Sequence, residues 1–517
     1  MMKGCKIIMR ESGILYPIFS LPSKFGIGSL SQEAFDFVDF LEESSQGYWQ
    51  ILPVGPTGFG DSPYQAVSAF AGNPYFISPE ELIKDGLLTW EECYSYDFGK
   101  NEEKVDYGAL YNHRFLLLGQ AYTRFKERNM QKSEDYIAFI QKNKDWLEDY
   151  ALFMALKKEA KGAGWQQWDD SLRLREENAL SEAREKLADT IDFYYFQQYK
   201  FEEQWTKLHE YAKKKKIRII GDIPFYTALD SVDVWAHPEA FLMDEDKNPK
   251  VVAGCAPDAF SKTGQLWGNP IYDWAKQKED HYDWWMKRMK RSFEIYDVVR
   301  IDHFHGFSSY YAIPFGDETA ENGKLEKGPG HDFFKVLDEK FGPLHDNNGM
   351  KIIAEDLGTI NKENVKLLED FEIPGMKILQ YAFTSWDSIY MPYKHIRNCV
   401  VYPGTHDNMT MRGWLENITE GERNFVKRYI RSGNHDYGAI VWDLISECYK
   451  SVADLCIIPI QDYIVMGNEA RINTPGVAAD NWQWRMKPNF LSKELASSIH
   501  ELTATYGRTP KAVKEII

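Results

Sequence analysis

Apolar positions gather in short unbroken runs rather than alternating with polar ones: YWQILPV (48–54), IRIIGD (217–222), YDVVRID (296–302), MKIIAED (350–356), MKILQYAF (376–383), NCVVYPG (398–404) and LCIIPIQD (455–462). Each is short and rich in Val, Ile or Leu, which predicts strands covered on both faces. Helix-like segments separate most of them, so the strands are expected to run parallel and to be joined by crossovers. Between about 85 and 212 the chain turns charged and strand-poor, with a helical period. There Leu187, Ile191, Tyr194, Phe201, Trp205, Leu208 and Ala212 fall mostly three or four apart and predict a core-facing stripe. Trp146, Leu147, Tyr150, Phe153 and Met154 predict another helix, so 85–185 reads as a helical subdomain inserted between early strands. The stretch from about 241 to 274 contains VVAGCAPDAFSKTGQLWGNP and reads as a long irregular loop of functional character, which Phe260 and Trp267 keep from being disordered.

Three strand-like runs lead to an acid: YDVVRIDHF places Asp302, MKIIAED places Glu355 and CVVYPGTHDN places Asp407. An ionised acid inside a doubly covered strand is costly. At the C-terminal end of such a strand it stands at the mouth of a β/α fold, where loops converge and chemistry is held. A single Asp after a strand is commonly a turn former or a helix N-cap, but three such acids on separate elements, flanked by His or Arg, point to a carboxylate active site.

Arg300 and Asp302 are two apart in one strand and share a face. The guanidinium is therefore expected to lower the pKa of Asp302 and keep it ionised, as a nucleophile requires. A glycosidase-type pair needs a second carboxyl that stays protonated until it donates. Glu355 and Asp356 both qualify, alternation puts them on opposite faces, and periodicity leaves the choice open. His406 and Asp407 add a third acid and another hydrogen-bonding group able to hold sugar hydroxyls.

The formal net charge of -17 argues against nucleic acid as a partner, because phosphate-backbone binding needs concentrated Lys and Arg. The one basic block, 213–216, reads as a solvated helix end. The six cysteines, Cys5, Cys93, Cys255, Cys399, Cys448 and Cys456, have no CxxC or other metal-ligand spacing and read as reduced thiols of a cytoplasmic protein. KIIM near the N-terminus is far short of a signal-peptide core and no run approaches a membrane span, so no membrane association is expected. Aromatic residues make up 15% of the chain, a proportion that suits sugar ligands and that a large core also consumes. GPTGFG (55–60) lacks the order of a P-loop or a dinucleotide fingerprint, and no GxSxG occurs. His303 and His305 in HFH suggest a metal pair without an accompanying ligand set.

The stretches QILPVGPTGFGDSPYQ, GDIPFYT, PDAFSKTGQLWGNPIYDW, RIDHFHGF, IIAEDLG, GMKILQYAF, PGTHDN, ARINTPG and NWQWRM together resemble the 4-alpha-glucanotransferases of the amylomaltase or disproportionating-enzyme type, glycoside hydrolase family 77 of the alpha-amylase clan. The resemblance spans nearly the whole chain. It implies an α/β fold, a (β/α)8 TIM barrel with inserted, mainly helical subdomains and no C-terminal β domain. The barrel would then occupy 1–84 and 186–517, interrupted by 85–185. By motif match Asp302 resembles the nucleophile, Glu355 the general acid/base and Asp407 the transition-state stabiliser, with Arg300, His303 and His406 around them. Ser62, Tyr64, Asp222, Asp258, Gln265, Trp267 and Asn473 fall on donor and acceptor contacts. Cys255 and Ala256 stand where relatives usually show Val and Pro, and Phe59 where some carry a glucan-stacking Tyr. The implied activity is retaining transfer of α-1,4-glucan segments among maltooligosaccharides, without cofactor or metal. An amylase-type hydrolase and a non-catalytic glucan-binding barrel are the alternatives.

Overall fold

Parallel strands close around a barrel in the computed structural model, which describes residues 10–510 apart from 59, 258–260, 347–348, 359–360, 434–435 and 478. The strands are β1 (Glu11–Leu15), β2 (Tyr48–Gln50), β3 (Arg218–Ile223), β4 (Val298–Ile301), β5 (Ile352–Ala354), β6 (Gly375–Ile378), β7 (Cys399–Tyr402) and β8 (Leu455–Pro459). Their order is β5-β4-β3-β2-β1-β8-β7-β6, with every hydrogen-bonded neighbour parallel. The two ends of that order meet where Ala354 N donates to Pro374 O at 3.0 Å and Met376 N donates to Asp356 Oδ1 at 2.7 Å.

Seven of the strands lie in the predicted apolar runs. The eighth, β1, has the sequence ESGIL, which begins with an acid, a serine and a glycine and gave no apolar signal. Gly13 is needed there, because a Cβ at that position would come within 2.6 Å of both the Cβ and the carbonyl oxygen of Tyr48.

Alternate residues of the strands fill the barrel: Leu15, Tyr48, Ile220, Val298, Ile353, Met376, Ile378, Val400, Tyr402, Leu455 and Ile457 form one buried cluster. Tyr402 OH donates to Gln50 Oε1 at 2.8 Å within it, which satisfies two polar groups that burial would otherwise penalise. This parity carries upward along the strands. Ile220 inside places Asp222 inside, Val298 places Arg300, and Ile353 places Glu355.

Between β2 and β3 the chain is helical, with helices Tyr107–Glu127, Glu134–Lys142, Lys144–Glu159 and Glu177–Lys186 among those of the inserted stretch. Helix Ala188–Lys214 then leads back to β3 and buries Ile191, Tyr194, Phe201, Trp205, Leu208 and Ala212. Its Trp205 Nε1–H donates to Ile295 O at 3.0 Å, tying the helix to the approach to β4.

The stretch expected to be an irregular loop is different. Strands Val251–Cys255 and Gln265–Pro270 pair antiparallel, and with Ser309–Pro314 and Lys324–Lys327 they build a four-stranded sheet beside the barrel. A glycine in such a stretch reads as a breaker in one dimension, but Gly254 serves close strand approach: a Cβ there would lie 2.2 Å from Gln265 O.

Gly221 of β3 makes a sharper demand. A Cβ on this residue would stand 2.2 Å from the Tyr296 ring, and Tyr296 is buried against Trp205. Gly221→Ala is expected to destabilise the fold by about 1–3 kcal/mol through overpacking. Urea unfolding measures this, and a midpoint equal to wild type would show that the ring yields freely.

Candidate active site

The site grows upward from a buried ion pair. Arg300 on β4 directs Nη1 at both oxygens of Asp222 on β3, at 2.8 and 2.7 Å, with side-chain exposures of 1% and 0%. The other arm, Nη2, reaches Asp302 Oδ1 at 3.1 Å. Asp302 itself is 29% exposed, so one guanidinium joins the sealed barrel interior to the open cleft. Burial works against the charge of Arg300, but Asp222 and the surrounding groups hold its pKa well above the usual guanidinium value.

Glu355 follows β5. Its Oε2 accepts from His303 N at 2.9 Å and its Oε1 from Leu357 N at 3.0 Å. His303 adopts a left-handed backbone, φ 51°, which turns its N–H toward Glu355 at a conformational cost of about 1–2 kcal/mol. Asp356 points the other way and accepts Met376 N, so strand alternation assigns Glu355 to the cleft and Asp356 to barrel closure.

Asp407 follows β7. Asn473 Nδ2 donates to its Oδ1 at 2.6 Å and Arg471 Nη2 to its carbonyl oxygen at 2.8 Å. His406 Nε2 lies 3.3 Å from Asp407 Oδ2 and 2.9 Å from Tyr64 OH. Tyr64 OH in turn donates to Asp222 Oδ2 at 2.9 Å. With its single proton committed to Asp222, the Tyr64 oxygen accepts from His406, which puts the imidazole proton on Nε2. Burial lowers the His406 pKa, keeping the ring neutral.

These surroundings separate the acids. Burial pushes Glu355 up to about 8, with the charge of Asp302 adding to the shift. Asp302 was expected to be lowered by Arg300. The contact forms, yet burial outweighs it and Asp407 adds repulsion, so the carboxyl moves up. The two share protons as a coupled pair. Glu355 takes the first, because among the described residues no cation bonds to it, whereas Arg300 bonds Asp302 and favours its ionised form.

Tyr64, Asp222, Arg300, Asp302, His303, Glu355, His406, Asp407 and Asn473 thus meet at one face of the barrel. Ser62 lies in the turn before Tyr64 and accepts its backbone N–H at 3.2 Å. Gln265 and Trp267 come from the antiparallel sheet. Gln265 Oε1 accepts from Trp267 Nε1 at 3.1 Å, and the Trp267 ring meets His303 edge-on with centroids 5.0 Å apart. Asp258 and Phe59 lie outside the described residues. His303 and His305 have separate partners: His305 Nε2 contacts Leu357 O at 3.1 Å, while His303 is packed among Phe225, Tyr226 and Trp267.

Three residues not singled out in the sequence also belong here. Arg471 holds Asp407, Trp482 lies against Tyr64 and His406, and Tyr226 lies against His303 and Trp267. All fall within the resembling segments, but no spacing rule marks them.

A (β/α)8 barrel whose mouth gathers three carboxyl groups, one with its pKa pushed up and one bonded by a guanidinium, defines the class of barrel enzymes that act at glycosidic bonds. Comparison with known proteins narrows the class. The family described as 4-alpha-glucanotransferase matches residues 16–492, and the chain belongs to that family. It is 44% identical over 495 residues to the 4-alpha-glucanotransferase of Clostridium butyricum, covering 95% of this chain and 99% of the relative. It is 43% identical over 492 residues to that of Thermus thermophilus, covering 94% and 96%. Among solved structures, amylomaltase from Streptococcus agalactiae in complex with acarbose superposes with a TM-score of 0.92 at 39% identity, covering 97% of this chain and 100% of that one.

Arg300 is the group whose loss the site tolerates least. Arg300→Leu would leave Asp222 and Asp302 as neighbouring carboxylates without a cation, and stability is expected to fall by about 3–5 kcal/mol at pH 7. Removing the cation raises both folded-state pKa values further above their unfolded values. The deficit is therefore largest at neutral pH, where the unfolded chain is ionised, and shrinks as pH falls toward about 4. Urea unfolding at pH 7 and pH 5 tests the sign. A deficit that grows on acidification would contradict the assignment.

Proposed function

We propose that the cleft transfers α-1,4-glucan segments from a donor to the 4-hydroxyl of an acceptor glucan or glucose, through a covalent glycosyl-enzyme and with retention. The observation that carries this is the division between Asp302, bonded to Arg300, and Glu355, which among the described residues is held by backbone N–H groups and by no bonded cation and whose pKa is pushed up to about 8. Asp302 attacks the anomeric carbon while Glu355 gives its proton to the departing glucan oxygen. Glu355, now ionised, takes the proton of the incoming 4-hydroxyl as that oxygen displaces Asp302. Asp407, oriented by Asn473 and Arg471, binds sugar hydroxyls as positive charge develops on the ring.

Ser62, Tyr64, Asp222, Arg300, His303, His406, Asn473, Gln265 and Trp267 complete the site as substrate-binding and positioning groups, and Asp258 joins them on the resemblance alone. Trp267 beside His303 supports transfer over hydrolysis, since an aromatic wall excludes water and gives an acceptor sugar a face to lie on. The substrates are maltooligosaccharides, and the scheme needs neither cofactor nor metal. Residues 85–185 form an inserted helical subdomain in this reading. Buried thiols at Cys93, Cys399, Cys448 and Cys456 support a cytoplasmic setting, and among the described residues no helix is long and apolar enough to cross a membrane.

Given maltotriose, the protein is expected to make longer chains together with glucose. Reducing ends released without chain growth would establish a hydrolase instead. Because the first step needs protonated Glu355, kcat/KM on maltotriose should fall as pH rises through about 8. α-Glucosyl fluoride, whose leaving group needs no proton, should lack that limb. Glu355→Ala should cost about 10²- to 10⁴-fold on maltotriose and much less on the fluoride, whereas Asp302→Asn should abolish turnover of both and leave glucan binding intact. Equal losses on the two donors in Glu355→Ala would remove it from the acid role.

A further inference from the structure

The segment after β6 leaves the barrel at the same mouth as the carboxylates and is not used by the chemistry above. Tyr381 anchors it there: its hydroxyl accepts from Asn408 Nδ2, the residue after Asp407, at 3.1 Å. The following turn folds back onto this tyrosine, whose carbonyl oxygen accepts from Thr384 Oγ1 at 3.0 Å and Ser388 Oγ at 2.9 Å. Tyr390 packs edge-on against the Tyr381 ring with centroids 5.4 Å apart, and Tyr393 OH donates to Trp386 O at 2.9 Å. The turn pinned in this way presents Trp386 with 76% of its surface exposed, while Tyr381 at the cleft is 37% exposed.

An indole left in water forgoes the gain that burial would bring. Here hydrogen bonds to Tyr381 and from Tyr393 hold the turn open instead of letting the ring collapse onto the barrel. Its neighbours on the turn are hydroxyl-bearing, and Asp387 and Lys394 carry opposite charges, with the Lys394 ammonium donating to the Asp387 carbonyl. An apolar ring face rimmed by hydroxyls and without net charge suits a neutral polyhydroxylated chain rather than an anion.

We propose that Trp386 is a stacking platform for an α-glucan chain leaving the cleft past Tyr381, and that it biases the enzyme toward longer glucans. The turn that carries the ring is anchored at Tyr381, which bonds the residue after Asp407, and on this proposal a short donor finishes before the ring and a long one lies across it. The platform rests on the glucan-transfer reading of the cleft, which its test can separate from it.

The test measures kcat/KM for maltotriose and maltoheptaose as donors in wild type, Trp386→Ala and Trp386→Phe. Trp386→Ala is expected to lower the maltoheptaose-to-maltotriose ratio by about 3- to 10-fold, mainly through KM, and Trp386→Phe to recover most of it. An unchanged ratio, or an equal loss on both donors, overturns the platform while leaving glucan transfer standing. A wild-type dimer that Trp386→Ala dissociates would assign the ring to a contact between copies of the chain and overturn it as well. Absence of wild-type turnover on either donor would remove the glucan reading itself and the platform with it.

Discussion

One buried guanidinium serves two carboxylates, and the site is organised around that shortage of positive charge. Arg300 gives one arm to Asp222, which is sealed from solvent, and one to Asp302, which is not. A buried ion pair alone stabilises little, since desolvation offsets attraction. Its value here is geometric. Asp222 fixes the plane of the guanidinium, and the remaining N–H then fixes where the Asp302 carboxylate stands. Among the described residues no cation bonds Glu355, and the charge it senses most strongly is another anion, Asp302. The opposite demands of nucleophile and acid are thus met by giving the Arg300 guanidinium to one of them.

Barrel parity decides which acids take part. A strand turns successive side chains to opposite faces, so once Ile353 is inside the barrel, Glu355 must face its mouth and Asp356 must face away. The outward acid is not idle. By accepting Met376 N, it helps to close β5 on β6, where the strand ladder leaves a gap. One dipeptide therefore contributes a carboxyl to the cleft and a carboxylate to the closure that keeps the cleft in shape.

The barrel was legible wherever burial on both faces left an unbroken apolar run, which covers β2 through β8. It was illegible at β1, where Gly13 yields its volume to Tyr48: a strand can belong to the core by being small as well as by being apolar. The antiparallel sheet around Trp267 was missed for a related reason, because the glycine that lets two strands approach closely looks, in one dimension, like a glycine that breaks them. Strand ends located the acids, but periodicity alone left Glu355 and Asp356 tied, because parity needs one residue known to face inward. The Arg300–Asp302 contact followed from spacing, whereas the direction of the Asp302 shift did not. Burial and the approach of Asp407 are sums over segments far apart in the chain, and no local pattern contains them.

Tyr64 shows why such sums matter. Its hydroxyl stands between Asp222 and His406, so a residue from the loop after β2 joins the charge on β3 to the imidazole after β7. From there the connection passes to Asp407 and on to Asn473. Because a phenol has one proton, the direction of each bond constrains the next: Asp222 accepts the hydrogen bond of the Tyr64 hydroxyl, and His406 must then donate from Nε2. The charge of Arg300 thereby reaches the far acid through fixed dipoles rather than through contact. Such dipoles need no reorganisation when charge appears on a bound sugar ring, which is the condition under which a polar site lowers a barrier most effectively. The loops supply these groups, but only closure of the barrel brings them within hydrogen-bonding distance, so the electrostatics of the site and the stability of the fold are one problem.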